Sequence, residues 1–160
     1  MWFKGSLAQR ICNLVLGVGI VGIAGGGSSA VFAQKWSMAS AYPETNFQTE
    51  NIKQFIDDIK GATNGKLVIT LHSNQSLVKM PQIKRAIQTD QVQLGEILLS
   101  AYGNEDPFFE VDGVPMLSQG YENAKKLWTA TKPYIEKRFR AQGLVPLFSV
   151  AWPSQGIYTK

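Results

Sequence analysis

Between residues 35 and 99 the spacing of apolar residues switches back and forth between the alternation of a strand and the three-to-four spacing of a helix. Residues 35–40 read as a short strand, with Trp36, Met38 and Ser40 on one face and Ser37 and Ala39 on the other. Tyr42-Pro43 ends it, because proline lacks a ladder donor and holds the preceding residue extended. Thr45 and Gln48 have the spacing of a capping box, hydroxyl at the cap and Gln three residues on. Ile52, Phe55, Ile56 and Ile59 follow as one stripe of an amphipathic helix, and Asn64-Gly65 turns the chain. Residues 66–72 form a second strand, with Leu67, Ile69 and Leu71 on one face and Val68, Thr70 and His72 on the other. After a polar loop at 73–76, Pro81 suits the first turn of a helix carrying Ile83, Ala86 and Ile87. Residues 94–99 are a third apolar run, expected to be a strand buried on both sides. Strands separated by helices of this length predict right-handed crossovers and a parallel sheet, hence an α/β fold.

Beyond the loop at 100–104, residues 105–109 are expected to open a short helical turn, and Val114-Pro115-Met116-Leu117 to supply apolar packing. A long helix starts near Gly120, with Tyr121, Ala124, Trp128, Ile135 and Phe139 on its inner face. Pro133 should kink it or divide it in two. Lys137, Arg138 and Arg140 suit the negative end of the helix dipole, and Gly143 suits a left-handed terminator. Residues 144–152 then read as a buried strand, broken by Pro153-Ser154-Gln155-Gly156 before Ile157-Tyr158-Thr159 opens a second one.

Residues 1–33 have the three parts of a secretory signal. Lys4 and Arg10 make a positive start, and an apolar run from Ile11 to Ala24 is interrupted only by Asn13. A Gly/Ser tract precedes Val31-Phe32-Ala33, which places cleavage after Ala33. The alternative is an uncleaved membrane anchor, since no charge occurs between Ile11 and Ala33. The only cysteine, Cys12, lies inside this segment, so a cleaved chain has no thiol for a disulfide or a metal. An apolar share of 44% and a charged share of 18% describe an ordinary globular protein. The net charge of +4 includes Lys4 and Arg10, and no basic stripe interleaved with aromatics follows, so nucleic acid is not an expected partner.

Catalytic patterns are sparse. His72 is the only histidine, which leaves no His pair for a metal and no second base for a triad; near a strand end it reads as structural or surface. Asp57-Asp58 reads as a solvated helix face. Glu105-Asp106 has the residue types of an acid/base pair, but a helix cap explains it more simply. Gly17-Val18-Gly19-Ile20-Val21-Gly22 has dinucleotide-binding spacing, yet it lies in the export segment without a preceding strand. Binding features are richer. In an open parallel sheet, ligands sit outside the carboxyl ends of the strands. The loops expected there are 41–45, 73–76, 100–104 and 152–156, which offer Tyr42, Asn74, Gln75, Ser100, Tyr102, Trp152 and Gln155. That set suits a small polar molecule; the alternative is that Tyr42, Tyr102 and Trp152 plug the ends of the core.

Several of these pieces occur together in one known family. An export signal, a capped helix ending in Thr63-Asn64-Gly65-Lys66-Leu67, the Val114–Leu117 segment, a long helix ending in Gly143-Leu144 and above all Trp152-Pro153-Ser154-Gln155-Gly156-Ile157-Tyr158 fit it. Residues 34–160 resemble the DctP-type solute receptors of TRAP (tripartite ATP-independent periplasmic) transporters. The resemblance implies a three-layer, periplasmic-binding-protein-like lobe with a mainly parallel sheet, one of two lobes that close on a carboxylate-bearing solute. It further implies a periplasmic binding protein rather than an enzyme, with no cofactor, that delivers its solute to the TRAP membrane permease subunits. Family members are about twice as long, so the expectation is a signal at 1–33, an N-terminal lobe at 34–150 and the start of a hinge crossing at 151–160, without the second lobe. The arginine that commonly pairs with the solute carboxylate falls in a segment after this one, and Ile157 stands where some members place another arginine. Gln155 matches a ligand-contacting position of some relatives and is flanked by Trp152 and Tyr158. The expected solute contacts are therefore Tyr42, Asn74, Tyr102, Trp152, Gln155 and Tyr158. The competing expectations are a self-sufficient periplasmic sensor domain closed by residues 157–159, and an exported enzyme working through Glu105 and Asp106.

Overall fold

In the computed structural model, residues 33–153 are described; residues 1–32 of the signal-like segment, Gln155 and Tyr158 lie outside them. Strand β1 (Gln34–Ala39) lies between β2 (Leu67–His72) and β3 (Leu94–Gly95), and all three run parallel. Gln34 faces Leu67 and Ala39 faces His72, while Met38 and Ala39 face Leu94 and Gly95. This register puts Met38, Leu67 and Ile69 on one side of the sheet, and a slip of one residue would turn them all outward.

Helix α1 (Phe47–Ala62) covers that side. Ile52 and Ile59 are buried against Met38, Leu67 and Ile69, with Phe55 and Ile56 flanking them, as their spacing predicts. The cap differs by one residue from the expected Thr45: Asn46 accepts a hydrogen bond from the Gln48 N–H at 2.8 Å. Asn is a strong N-cap, and with Asn46 in that role Gln48 falls in the first turn and is buried instead of reaching back to the cap. At the other end the Thr63 hydroxyl donates to the Ile59 carbonyl and accepts the Leu67 N–H, so one side chain joins the helix to the next strand. Asn64 and Gly65 make the turn at positive φ.

The opposite side of the sheet carries small residues, and α2 (Ile83–Gln88) packs there behind a 3-10 turn containing Pro81. Ile83 and Ala86 are buried with Ala39, Ala41 and Val92. A Cβ on Gly95 would lie 2.5 Å from Ile83 Cγ2 and 2.8 Å from Ile87 Cδ1, so the glycine is what permits this approach. Helices on both faces of a parallel sheet give the expected three-layer α/β lobe.

One expected strand is much shorter than its apolar run, and another takes no ladder. Of residues 94–99 only Leu94 and Gly95 pair, and all six are half-buried. The physical reason is the length of β1: it ends at Ala39, whose carbonyl still accepts the Glu96 N–H at 2.9 Å, and no further partner is offered. The chain then turns through a 3-10 helix at Leu99–Tyr102. Residues 144–153 likewise take no regular secondary structure. Their apolar side chains are used for packing instead: Leu147 against the α1 side of the sheet, and Phe148 with its ring 5.1 Å from Phe55. Apolar content alone does not make a strand without a free edge at ladder distance.

Asp106 caps the 3-10 turn Pro107–Gly113 by accepting the Phe108 N–H at 2.9 Å, and Arg138 Nε donates to its other oxygen at 2.5 Å. Helix α3 (Gly120–Ala141) runs unbroken through Pro133, not as two helices. The buried Ile135 and Phe139 hold the part beyond the proline against Tyr102, Phe109 and Leu144. Its first turns are less covered than expected, Tyr121 being 63% exposed. Val114, Met116 and Leu117, expected as packing, are exposed too, because the short 3-10 turn before them and the uncovered start of α3 bring nothing over them among the described residues. Gly143 ends α3 at φ +77°, with Leu144 N–H donating to Phe139 O and Gly143 N–H to Arg140 O, a Schellman pair.

Candidate functional site

The carboxyl ends of β1 and β2 are tied into one rim. Asn74 N–H donates to Tyr42 O at 2.7 Å and Gln75 N–H to Ser40 O at 3.1 Å, with Asn74 and Gln75 at positive φ. Ser73 donates its hydroxyl to the Glu44 carboxylate, which also pairs with Lys53 of α1. These two partners hold the Glu44 carboxyl below the usual range, the Lys53 hydrogen bond contributing most.

Trp152 completes the rim from the far end of the chain. Its ring meets Tyr42 edge-on at 5.4 Å and Phe47 at 5.5 Å, nearly perpendicular in the second case. Such edge-to-face contacts fix aromatic planes without closing the space beside them. Below this corner opens a groove of about 540 Å³ that runs between the β3 segment and residues 143–152. Its inner part is apolar, walled by Ile52, Leu94, Ile135, Leu147 and Phe148. Its rim end is polar, with Tyr42, Gln48 and Glu96.

Among the described residues, Glu96 is one of three acidic residues lining the groove, with Asp90 and Asp112. Ser40, fully buried at the end of β1, donates its hydroxyl to Glu96 Oε2 at 2.5 Å and accepts the Tyr42 N–H at 3.3 Å. Burial pushes the Glu96 carboxyl above its ordinary range, and the Ser40 hydrogen bond offsets part of this. The Tyr42 phenol is raised as well, by burial first and by the nearby Glu96 charge second. Lys84 is the only cation among the described residues lining the groove, and it is not free. Its ammonium pairs with Glu105, donates to Gln142 Oε1 at 3.0 Å, and lies 4.9 Å from the centre of the Tyr102 ring.

The residues expected to contact a solute are thus distributed unevenly. Tyr42 and Trp152 meet at the mouth of the groove. Asn74 shares the rim but is exposed and outside the groove lining. Tyr102 is buried in the third apolar cluster, its hydroxyl donating to Met80 O and accepting from Lys84 N–H, also outside the lining. Gln155 and Tyr158 fall outside the described residues. Sequence reasoning missed Glu96, Ser40 and Gln48. Glu96 carried a signal, being the single charge inside the apolar run 94–99. Glu105 and Asp106, the expected acid/base pair of an enzyme, are held by Lys84 and Arg138 respectively. Among the described residues, no group of His, Cys, Asp and Glu could hold a metal ion, and no helix is long and apolar enough to cross a membrane.

A family model described as bacterial extracellular solute-binding protein, family 7 (DctP) matches residues 38–157. Among solved structures, the chain is similar to DctP6 of Bordetella pertussis, an extracytoplasmic solute receptor binding pyroglutamic acid. The TM-score is 0.74 at 51% identity, and the match covers 75% of this chain and 40% of that one. DctP7 of the same organism, described in the same terms, matches at TM-score 0.67 and 46% identity over 69% of this chain and 37% of that one. A marine metagenome TRAP solute-binding protein specific for pyroglutamate matches at TM-score 0.74 and 42% identity over 76% and 40%. The matched region thus spans less than half the length of each of these relatives. No curated protein matches the chain.

Proposed function

Since this chain belongs to family 7 of the bacterial extracellular solute-binding proteins, we propose that it forms one lobe of a TRAP-type receptor that captures a small carboxylate-bearing solute. The solute we assign is pyroglutamate or a close cyclic amide acid. One observation carries this: three receptors described as binding pyroglutamate share 51%, 46% and 42% identity with the chain. The rim built from Tyr42, Trp152, Gln48 and Glu96 has the size and the mixed aromatic and polar character such a ring needs.

In this reading residues 1–33 are an export signal removed after Ala33, residues 34–150 are the lobe, and residues 151–160 begin the crossing toward a second lobe that supplies the rest of the site. The protein works outside the cytoplasm, hands its solute to membrane permease subunits, and carries out no chemistry on it. The groove supports the division of labour: its one cation among the described residues, Lys84, is committed to Glu105, so the partner for the solute carboxylate comes from elsewhere.

Titration of the purified chain with pyroglutamate, followed by amide NMR shifts and tryptophan fluorescence, tests the reading. The expected result is weak binding that perturbs Tyr42 and Trp152. No perturbation of the rim at any concentration up to solubility overturns it.

A further inference from the structure

We propose that Glu96 is the residue that selects the solute, its carboxylate accepting the N–H of a cyclic amide and turning away any acid that presents a second carboxylate there. This rests on the reading that the polar end of the groove receives a small acid. Glu96 is placed by the sheet itself: it is the first residue beyond β3, and its own N–H donates to Ala39 O at 2.9 Å. One carboxylate oxygen, Oε2, is fixed by the hydroxyl of the fully buried Ser40 at 2.5 Å. The other, Oε1, accepts no hydrogen bond among the described residues, and neither Lys nor Arg is paired with it there. Glu96 itself is part of the groove lining, with Tyr42, Gln48 and Trp152.

A carboxylate partly withdrawn from water with one oxygen unpartnered gains from an incoming donor, and a hydrogen bond to a charged acceptor is about twice as strong as a neutral one. A five-membered lactam acid brings one ring N–H and one carboxylate. It binds with the N–H toward Glu96 and its carboxylate pointing away, so the charge of Glu96 also fixes the ring's orientation. An open-chain dicarboxylate of the same length puts a second negative charge where the N–H would be, and is repelled. A lactone acid of the same shape, with a ring oxygen in place of the N–H, loses the hydrogen bond and sets two acceptors against each other. Glu96 therefore acts by attraction toward one class of acid and by repulsion toward another.

The test compares pyroglutamate, its lactone counterpart and glutarate on the unsubstituted chain and on Glu96→Gln, reading affinity from amide shifts at Ser40, Tyr42 and 95–97. On the unsubstituted chain the lactam should bind tighter than the lactone by about tenfold or more, and glutarate should bind weakest. Glu96→Gln should lower lactam affinity by a similar factor and improve both the lactone and glutarate, since the amide carries no charge and can donate. Equal binding of lactam and lactone by the unsubstituted chain, which requires no variant to fold, overturns the inference while leaving the receptor reading intact. So does a Glu96→Gln effect of the same size on all three. Absence of rim shifts with every probe overturns the receptor reading and this inference with it.

Discussion

At the scale of single residues, the charged groups with few exits to water decide most. Glu96 ionises near 4.5 when unfolded, and burial raises that value in the fold. The native state therefore holds its proton to higher pH than the unfolded state does. The stability it contributes is complete below 4.5 and is lost as pH rises through the raised value. Glu96→Gln should flatten that decline, seen as a denaturant midpoint that no longer falls between mildly acidic and neutral pH. The Lys84–Glu105 pair is lopsided, with side-chain exposures of 6% and 41%. Glu105→Ala strands a buried ammonium and should cost about 2 kcal/mol, reduced from a fully buried pair because Glu105 is partly solvated. Lys84→Met leaves a carboxylate that can turn to water and should cost less than about 1 kcal/mol. Equal losses for the two variants in urea denaturation would contradict this asymmetry.

At the scale of elements, short contacts between backbone and side chain set how the layers meet. Gly95 lets α2 sit on the sheet, and Ile83, one of the side chains a Cβ would strike, is fully buried and has no room to yield. Gly95→Ala should therefore destabilise the chain by about 1–3 kcal/mol through overpacking. The start of α1 offers a sharper comparison. Because Asn46, not Thr45, accepts the Gln48 N–H, Asn46→Ala should cost about 1 kcal/mol. Thr45→Ala, at an exposed position outside the helix, should stay within about 0.5 kcal/mol. Thermal melts of the two variants side by side discriminate the cap positions. Both elements were legible as elements from their apolar spacing; the one-residue choice of cap was not, since Thr and Asn are both competent caps and adjacent.

At the scale of the whole molecule, the chain is a three-layer lobe, and among the described residues the one cation lining its groove, Lys84, is paired with Glu105. The purified chain should thus bind pyroglutamate only weakly, and saturable micromolar binding by tryptophan fluorescence would refute that expectation. The sequence by itself determined the strand and helix order through residue 88, the inward stripes of α1 and β2, the turn at Asn64-Gly65 and the terminator at Gly143, because each rests on local spacing or on backbone conformations few residues adopt. It also placed Tyr42 and Trp152 at the same edge. Only the tertiary structure decided that 94–99 pairs over two residues, that 144–153 packs without a ladder, that α3 continues past Pro133, and that Tyr102 turns into the core while Glu96 turns into the groove. In each of these cases the outcome depends on what a distant segment presents: where β1 stops, whether an edge lies at ladder distance, what buries Ile135 and Phe139, and that Ser40 waits beside residue 96 with a hydroxyl to donate.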